Sequence, residues 1–186
     1  MRNGYYHIGI KKLKGYTLLL LFLVISPVCH AQDVVFEHFL DDKEFSYNSI
    51  RDITQDDKGF LWLATFSGVY RFEGKSFKKY QFNPNELSIP SDDVTSIVYD
   101  SLRNCIWAGT DNGLTQFDLL TDSIKLITGR SINTNQEIAH LQIRSILLDE
   151  KSNLWVGTKK SGLFVYTNRG ECYKIPTPGI TYIKTI

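Results

Sequence analysis

Cysteine, proline and methionine are all scarce in this 186-residue chain, and no charge sign dominates it. Three cysteines do not make a disulfide scaffold. Five prolines and 13 glycines exclude a collagen-like chain, and 11 Phe with 10 Tyr exclude wholesale disorder. A formal net charge of +1 gives no reason to expect a nucleic-acid binder driven by counterion release. Alanine is scarce, whereas Ser, Thr, Asn, Tyr and Ile are common, which leans towards β-structure. The longest apolar run, near Leu18–Ile25, falls well short of the roughly 20 residues of a bilayer span. The length allows one domain, or a piece of a larger one.

The N-terminus has the layout of a secretory signal peptide. Basic Lys11, Lys12 and Lys14 precede the apolar run, and small residues follow at Ser26, Cys29 and Ala31. Cleavage after Ala31 leaves a chain starting at Gln32; an uncleaved anchor and a lipid site at Cys29 are the weaker readings, the latter because Val28 precedes it. This leader takes four of the 21 basic residues and none of the 20 acidic ones, leaving 17 against 20, a net of −3. The basic excess therefore predicts no partner. Cys105 and Cys172 remain; they could pair in an oxidising compartment, but two unpaired, partly buried thiols are the preferred reading.

Three tryptophans, Trp62, Trp107 and Trp155, sit in matching neighbourhoods. Each copy has an apolar strand, an aspartate (Asp56, Asp100, Asp149), a polar turn and an apolar-Trp-apolar strand. That strand ends in Thr65, Thr110 or Thr158, and a glycine turn (Gly68, Gly113, Gly162) leads to a strand with an aromatic end. A fourth, more variable strand follows, such as Ser76–Phe82, which alternates apolar with polar residues. The aspartate is placed to bond N–H groups of its turn. Asp57-Lys58-Gly59 and Asn112-Gly113 suit tight turns. The tryptophan is a large apolar body for the gap between stacked sheets. Gly109 and Gly157 are expected where a neighbouring backbone approaches closely. The third first strand, with Ile143, Ile146, Leu147 and Leu148, reads as buried on both faces. Four short strands per repeat at this period define a β-propeller blade, and the fold class is all-β.

The pattern Asp, turn, apolar-Trp-apolar-Gly-Thr, Gly-Leu, aromatic resembles the two-component regulator propeller repeat. The linker Asn83–Ser88, followed by Asp93-Val94-Thr95-Ser96-Ile97, fits its inter-blade stretch, and the resemblance covers about residues 44–186. It implies the N-terminal periplasmic sensor region of a Bacteroidetes-type hybrid histidine kinase, which senses carbohydrate fragments and switches on genes for glycan use. Three departures stand out: Ala64 in place of Gly, Phe66-Ser67 in place of a more polar turn, and an extra residue with no Gly in Ser101–Cys105. The expected layout is a signal peptide over 1–31 and a partial propeller over 32–186. Repeats fall at about 44–88, 89–137 and 138–179, with a fourth beginning near 180. Ile183–Ile186 align with Ile143–Ile146, so three blades and the first strand of a fourth are expected. A closed ring typically has about 4–8 blades. The expected partners are therefore the missing blades of a longer parent or, as the alternative, further copies of the chain.

Catalytic chemistry finds little support. Asp56-Asp57, Asp92-Asp93 and Asp149-Glu150 are adjacent carboxylates, but Asp56 and Asp149 recur with Asp100 at one repeat position, as turn-bonding residues do and catalytic groups do not. His38 and His140 are isolated, no metal spacing surrounds them, and neither a phosphate loop nor a nucleophile elbow occurs. No catalytic residue, metal or cofactor is expected. A propeller polysaccharide lyase or hydrolase is the least favoured alternative, after a self-associating secreted binding or scaffold module. A ligand site, expected to take an oligosaccharide, would lie at the central mouth on loops at the ends of the inner strands. Its candidates are Tyr47, Asn48, Arg51, Phe66, Ser67, Asp111, Asn112, Lys159 and Lys160. The membrane would be reached only through a C-terminal part of the parent.

Overall fold

The computed structural model describes residues 50–179, and every regular element in that range is a β-strand. The leader, His38, Tyr47, Asn48 and the start of the expected fourth repeat lie outside the described residues. Twelve strands form three four-stranded antiparallel sheets in simple sequential order. The first holds β1 (Ile50–Gln55), β2 (Leu61–Thr65), β3 (Gly68–Phe72) and β4 (Phe77–Tyr80). The second holds β5 (Val94–Asp100), β6 (Cys105–Thr110), β7 (Gly113–Asp118) and β8 (Ser123–Ile127). The third holds β9 (Ile143–Leu148), β10 (Leu154–Thr158), β11 (Leu163–Tyr166) and β12 (Cys172–Ile175). The leading strands lie side by side, β5 between β1 and β9, so the sheets are stacked blades and form an open arc. Among the described residues no helix is long and apolar enough to cross a membrane.

The repeating aspartate builds the first turn of each blade. Asp56 Oδ1 accepts from the N–H of Lys58 and of Phe60, each at 3.0 Å. Asp149 Oδ1 does the same for Lys151 at 2.9 Å and Asn153 at 2.8 Å. Three residues before each tryptophan the backbone takes positive φ: Gly59 at 84°, Asn104 at 48° and Ser152 at 57°. Asn104 thus takes the place of the glycine that the second copy lacks; asparagine is among the side chains that best tolerate this region. The second oxygen of each aspartate accepts from the indole N–H of its own tryptophan, at 2.9 Å for Trp62, 3.1 Å for Trp107 and 3.0 Å for Trp155. The threonines close the second turn. Thr65, Thr110 and Thr158 donate to the carbonyls of Gly68, Gly113 and Gly162 at 2.7–2.9 Å, and each accepts a backbone N–H from the turn.

A bulge in every first strand decides which residues enter the core. The register shifts between Ile50 and Asp52, Val94 and Ser96, and Ile143 and Ser145. An extra residue there puts positions three apart on one face. Val94 and Ile97 consequently join Trp62, Ala64, Val69, Ile106 and Phe117 in the core between the first two sheets. Ile143 and Ile146 join Trp107, Leu114 and Phe164 in the core between the second and third. Trp62 stacks on Tyr80 at 5.7 Å, and Trp107 meets Tyr166 edge-on at 5.7 Å. Burying an indole removes about 200 Å² from water, an upper figure on the order of 5 kcal/mol. An unpaired buried N–H would return about 1–3 kcal/mol of that, which is why the aspartate recurs with the tryptophan.

Two expectations are corrected here. Strand β9 is not buried on both faces: Leu147 is 44% exposed, because it points away from the side on which Ile146 enters the core. Gly109 makes room for a side chain rather than a backbone. A Cβ there would lie 2.5 Å from Ile143 Cγ2 of the next blade. Close backbone approach occurs instead at Gly113, where a Cβ would meet the Ala139 carbonyl at 2.5 Å. At the rim, Asp122 bridges the first two blades. Its carboxylate accepts from Lys78 Nζ at 2.5 Å, Arg71 Nη1 at 3.2 Å and the Tyr80 hydroxyl at 3.3 Å.

Candidate functional site

The hairpins β2–β3, β6–β7 and β10–β11 converge with the segments that lead into β5 and β9. Backbone bonds fix this end: Gly68 N to Asp92 O at 2.9 Å, Asp111 N to Asp93 O at 3.0 Å, and Lys159 N to Gln142 O at 2.8 Å. Two groups of side chains stand out at this end, one at Arg51 and Phe66 and one at the Asp111–Asn112 turn. Arg51, on the β1 bulge, lies over the ring of Phe66 at 3.5 Å. Its Nη1 donates to Asp93 Oδ1 at 2.5 Å and to Val94 O at 3.5 Å. Phe66 is 52% exposed. A guanidinium held over an aromatic face contributes about 0.5–2 kcal/mol, depending on solvent access, so the pair is pre-positioned before any ligand arrives.

Asp111 and Asn112 form the second part. Asp111 takes two long bonds, Oδ1 from Arg144 Nη2 at 3.4 Å and Oδ2 from Gln142 Nε2 at 3.5 Å. Its side chain is about one-third exposed. Bonds of this length leave strong acceptor capacity on the carboxylate. Asn112 donates from Nδ2 to Pro90 O at 3.1 Å, and its Oδ1 lies 3.2 Å from His140 Nδ1. This end therefore carries an exposed aromatic ring under Arg51 and, through the Asp111–Asn112 turn, a carboxylate and amide whose partners are Arg144, Gln142 and His140.

The sequence candidates divide. Arg51, Phe66, Asp111 and Asn112 come together at this end. Ser67 belongs to it by its backbone, but its hydroxyl pairs with Tyr70 Oη at 3.0 Å, within the first blade. Lys159 joins through its backbone bond to Gln142. Lys160 lines a separate cleft of ≈410 Å³ with Asn133, Thr134, Ser161 and Lys174. Asp93, Gln142 and Arg144 were missed. The signal for Arg144 was repetition, because Arg51 and Arg144 each follow the isoleucine that opens a first strand.

The paired carboxylates do not act as pairs. Asp92 Oδ1 accepts the Phe82 N–H at 2.7 Å, while Asp93 holds Arg51. Asp100 lies under Arg103 and Trp107. The carboxyl of Asp149 is pulled down to about 2, first by the Trp155 indole N–H and then by Asn153. Among the described residues no group of three or more His, Cys, Asp or Glu is placed to hold a metal ion. Cys105 and Cys172 are free and buried, and burial pushes both thiols up to about 11.

Comparison with known proteins agrees with this architecture. The model of the two component regulator propeller family matches residues 44–67 and 137–160. A curated relative, histidine kinase P4 of Formosa agariphila, is 33% identical over 80% of this chain and 18% of its own length. The extracellular domain of a protein described as a hybrid two component system of B. thetaiotaomicron superposes with a TM-score of 0.62. It is 24% identical, over 72% of this chain and 19% of that one. A second such domain from B. thetaiotaomicron, described as belonging to a one component system, gives 0.58 at 23% identity, over 78% and 19%. The chain thus spans under a fifth of the length of these relatives. Three stacked four-stranded blades make a propeller-type domain. Two segments of the chain match the two component regulator propeller repeat, and its fold is similar to the extracellular domain of a hybrid two component system.

Proposed function

We propose that this chain is the N-terminal, extracytoplasmic part of the sensor of a hybrid two-component system. The end that bears Arg51, Phe66, Asp111, Asn112 and Arg144 contributes to recognition of an oligosaccharide. The observation that carries this reading is the likeness to the Formosa histidine kinase along most of this chain. The leader supports export to the periplasm, and the described neighbours are extracellular domains. The chemistry of the site supports a sugar ligand, since an exposed aromatic face with amide and carboxylate groups matches a ring with equatorial hydroxyls. The chain itself is read as non-catalytic, because the recurring aspartates are committed to turns and indoles. Ligand binding would bias the packing of rigid blades, and the rest of the parent would convert that bias into phosphotransfer.

The test uses the native gene. An epitope-tagged product should fractionate with the periplasm, and Phe66→Ala with Asp111→Ala should abolish transcription induced by the cognate glycan while leaving protein level unchanged. A product retained in the cytoplasm, or full induction in the double variant, overturns the reading.

A further inference from the structure

The linker from β8 to β9 clamps the edge of β12. Ile132 N donates to Cys172 O at 2.8 Å. Asn133 holds the backbone of Lys174 twice: its Nδ2 donates to the carbonyl at 2.7 Å and its Oδ1 accepts the N–H at 2.9 Å. Ser131 Oγ accepts the same N–H at 3.1 Å, and the Thr134 hydroxyl donates to Ser131 Oγ at 3.0 Å. The β10–β11 turn is pinned in its own way, by Ser161 N donating to Thr158 Oγ1 at 2.9 Å. Between the clamp, this turn and the chain that leaves β12 lies the ≈410 Å³ cleft, with Pro176 and Pro178 in its wall. Hydrogen bonds and two fixed φ angles hold those walls before any ligand arrives. The volume falls within the roughly 300–1,000 Å³ of small-molecule sites.

The charge of the cleft is one-sided. Lys160 and Lys174 line it, and no Asp or Glu does, in a chain with 21 basic and 20 acidic residues. Among the described residues neither lysine has an ion pair. Lys174 Nζ donates to the neutral Gln136 Oε1 at 2.8 Å and stands 5.8 Å from the centre of the Phe164 ring. An ammonium has three donors, so two remain. Thr134 Oγ1 has given its proton to Ser131 and is left as an acceptor.

We propose that this cleft binds the acidic group of a saccharide, a carboxylate or a sulfate ester, on the ammonium groups of Lys160 and Lys174. A hydroxyl of the same sugar donates to Thr134 Oγ1. An ammonium is a compact point charge that needs no two-pronged partner, so it accepts either anion. The cleft is a second site, separate from Arg51, Phe66 and Asp111. That a saccharide carries the anion rests on the sensor reading; that the cleft takes an anion does not.

The test titrates the ¹⁵N-labelled full chain separately with glucose, glucuronate, glucose 6-sulfate and inorganic sulfate. Glucuronate or glucose 6-sulfate should give saturable shifts at the amides of Thr134, Lys160, Ser161 and Lys174, and glucose should give none. Lys160→Gln should weaken that binding about tenfold or more, as expected on losing a charged hydrogen bond, and Lys160→Arg should retain it. Lys174→Met, which keeps an unbranched stem beside Phe164, should act in the same direction as Lys160→Gln. Should Lys174→Met unfold, Lys160→Gln decides, because the Lys160 ammonium bonds nothing among the described residues. A cleft silent to both acidic sugars, equal shifts from glucose, or binding unchanged in Lys160→Gln overturns the proposal. Shifts confined to Phe66 and Asp111 overturn it too, while leaving the sensor reading in place. Inorganic sulfate binding as tightly as glucose 6-sulfate overturns the saccharide assignment and reduces the cleft to a simple anion site.

Discussion

Asp56 Oδ2 accepts the indole N–H of Trp62 at 2.9 Å while its other oxygen holds the turn that separates the two residues. One buried carboxylate thus fixes a hairpin and satisfies the largest side chain of the inter-blade core. Asp56→Ala should cost about 2–3 kcal/mol, because it leaves a buried N–H unpaired and strips the turn of its acceptor. Asp149→Ala should cost less, since the part-exposed Trp155 can turn to water. Denaturant unfolding of the two variants checks the order. Equal losses would contradict it.

Acid should spare Asp149 until late. Its carboxyl is held at about 2 in the folded chain, below its ordinary value of 3.8. A depressed folded value means that its stabilising contribution is complete above the unfolded value and is lost as pH falls from about 4 through about 2. The side-chain ¹³Cγ shift of Asp149 should titrate near 2, and in Asp149→Asn the decline of stability across that window should be shallower.

Cys105 and Cys172 should resist thiol reagents at pH 8, because both titrate near 11 and both are buried. Labelling should appear only with unfolding. Rapid labelling of either in the folded protein would contradict this placement.

The interface between the second and third blades fits Gly109 to Ile143, and the first interface places Ala64 and Val94 in the equivalent positions. One carbon moves from one side of the contact to the other. Gly109→Ala alone should cost about 1–3 kcal/mol by overpacking. Gly109→Ala with Ile143→Val should recover most of that loss in a double-mutant cycle. Purely additive effects would contradict the fit.

Asp122→Ala should cost under about 1 kcal/mol. Its bonds to Lys78, Arg71 and Tyr80 are solvent-exposed, and surface ion pairs of this kind contribute little. A thermal melt with and without added salt checks it. A loss comparable to that of Asp56→Ala would make the rim bridge a structural anchor.

The repeat made the blades legible in the sequence. Aspartate, tryptophan, threonine and glycine recur at fixed offsets, and each offset is a local bond within one hairpin. The acceptor of the indole was not legible, because the tryptophan was read as an apolar body and its N–H was not counted. The burial of Leu147 was misread because apolar character alone does not say which face a bulged strand turns inward. The site was half legible. Arg51, Phe66, Asp111 and Asn112 follow from their places at strand ends. The ion pair of Arg51 with Asp93 joins residues 42 apart on different blades, and only stacking the sheets brings them together. The leader, Tyr47 and Asn48 lie outside the described residues.

The sensor account is tested most directly by titrating the ¹⁵N-labelled chain with a panel of polysaccharide-derived oligosaccharides. It predicts saturable shifts at Phe66, Asp111, Asn112 and Arg144 with one member of the panel, lost in Asp111→Ala while the rest of the spectrum is retained. Shifts confined to other residues, or binding that survives Asp111→Ala unchanged, would contradict it.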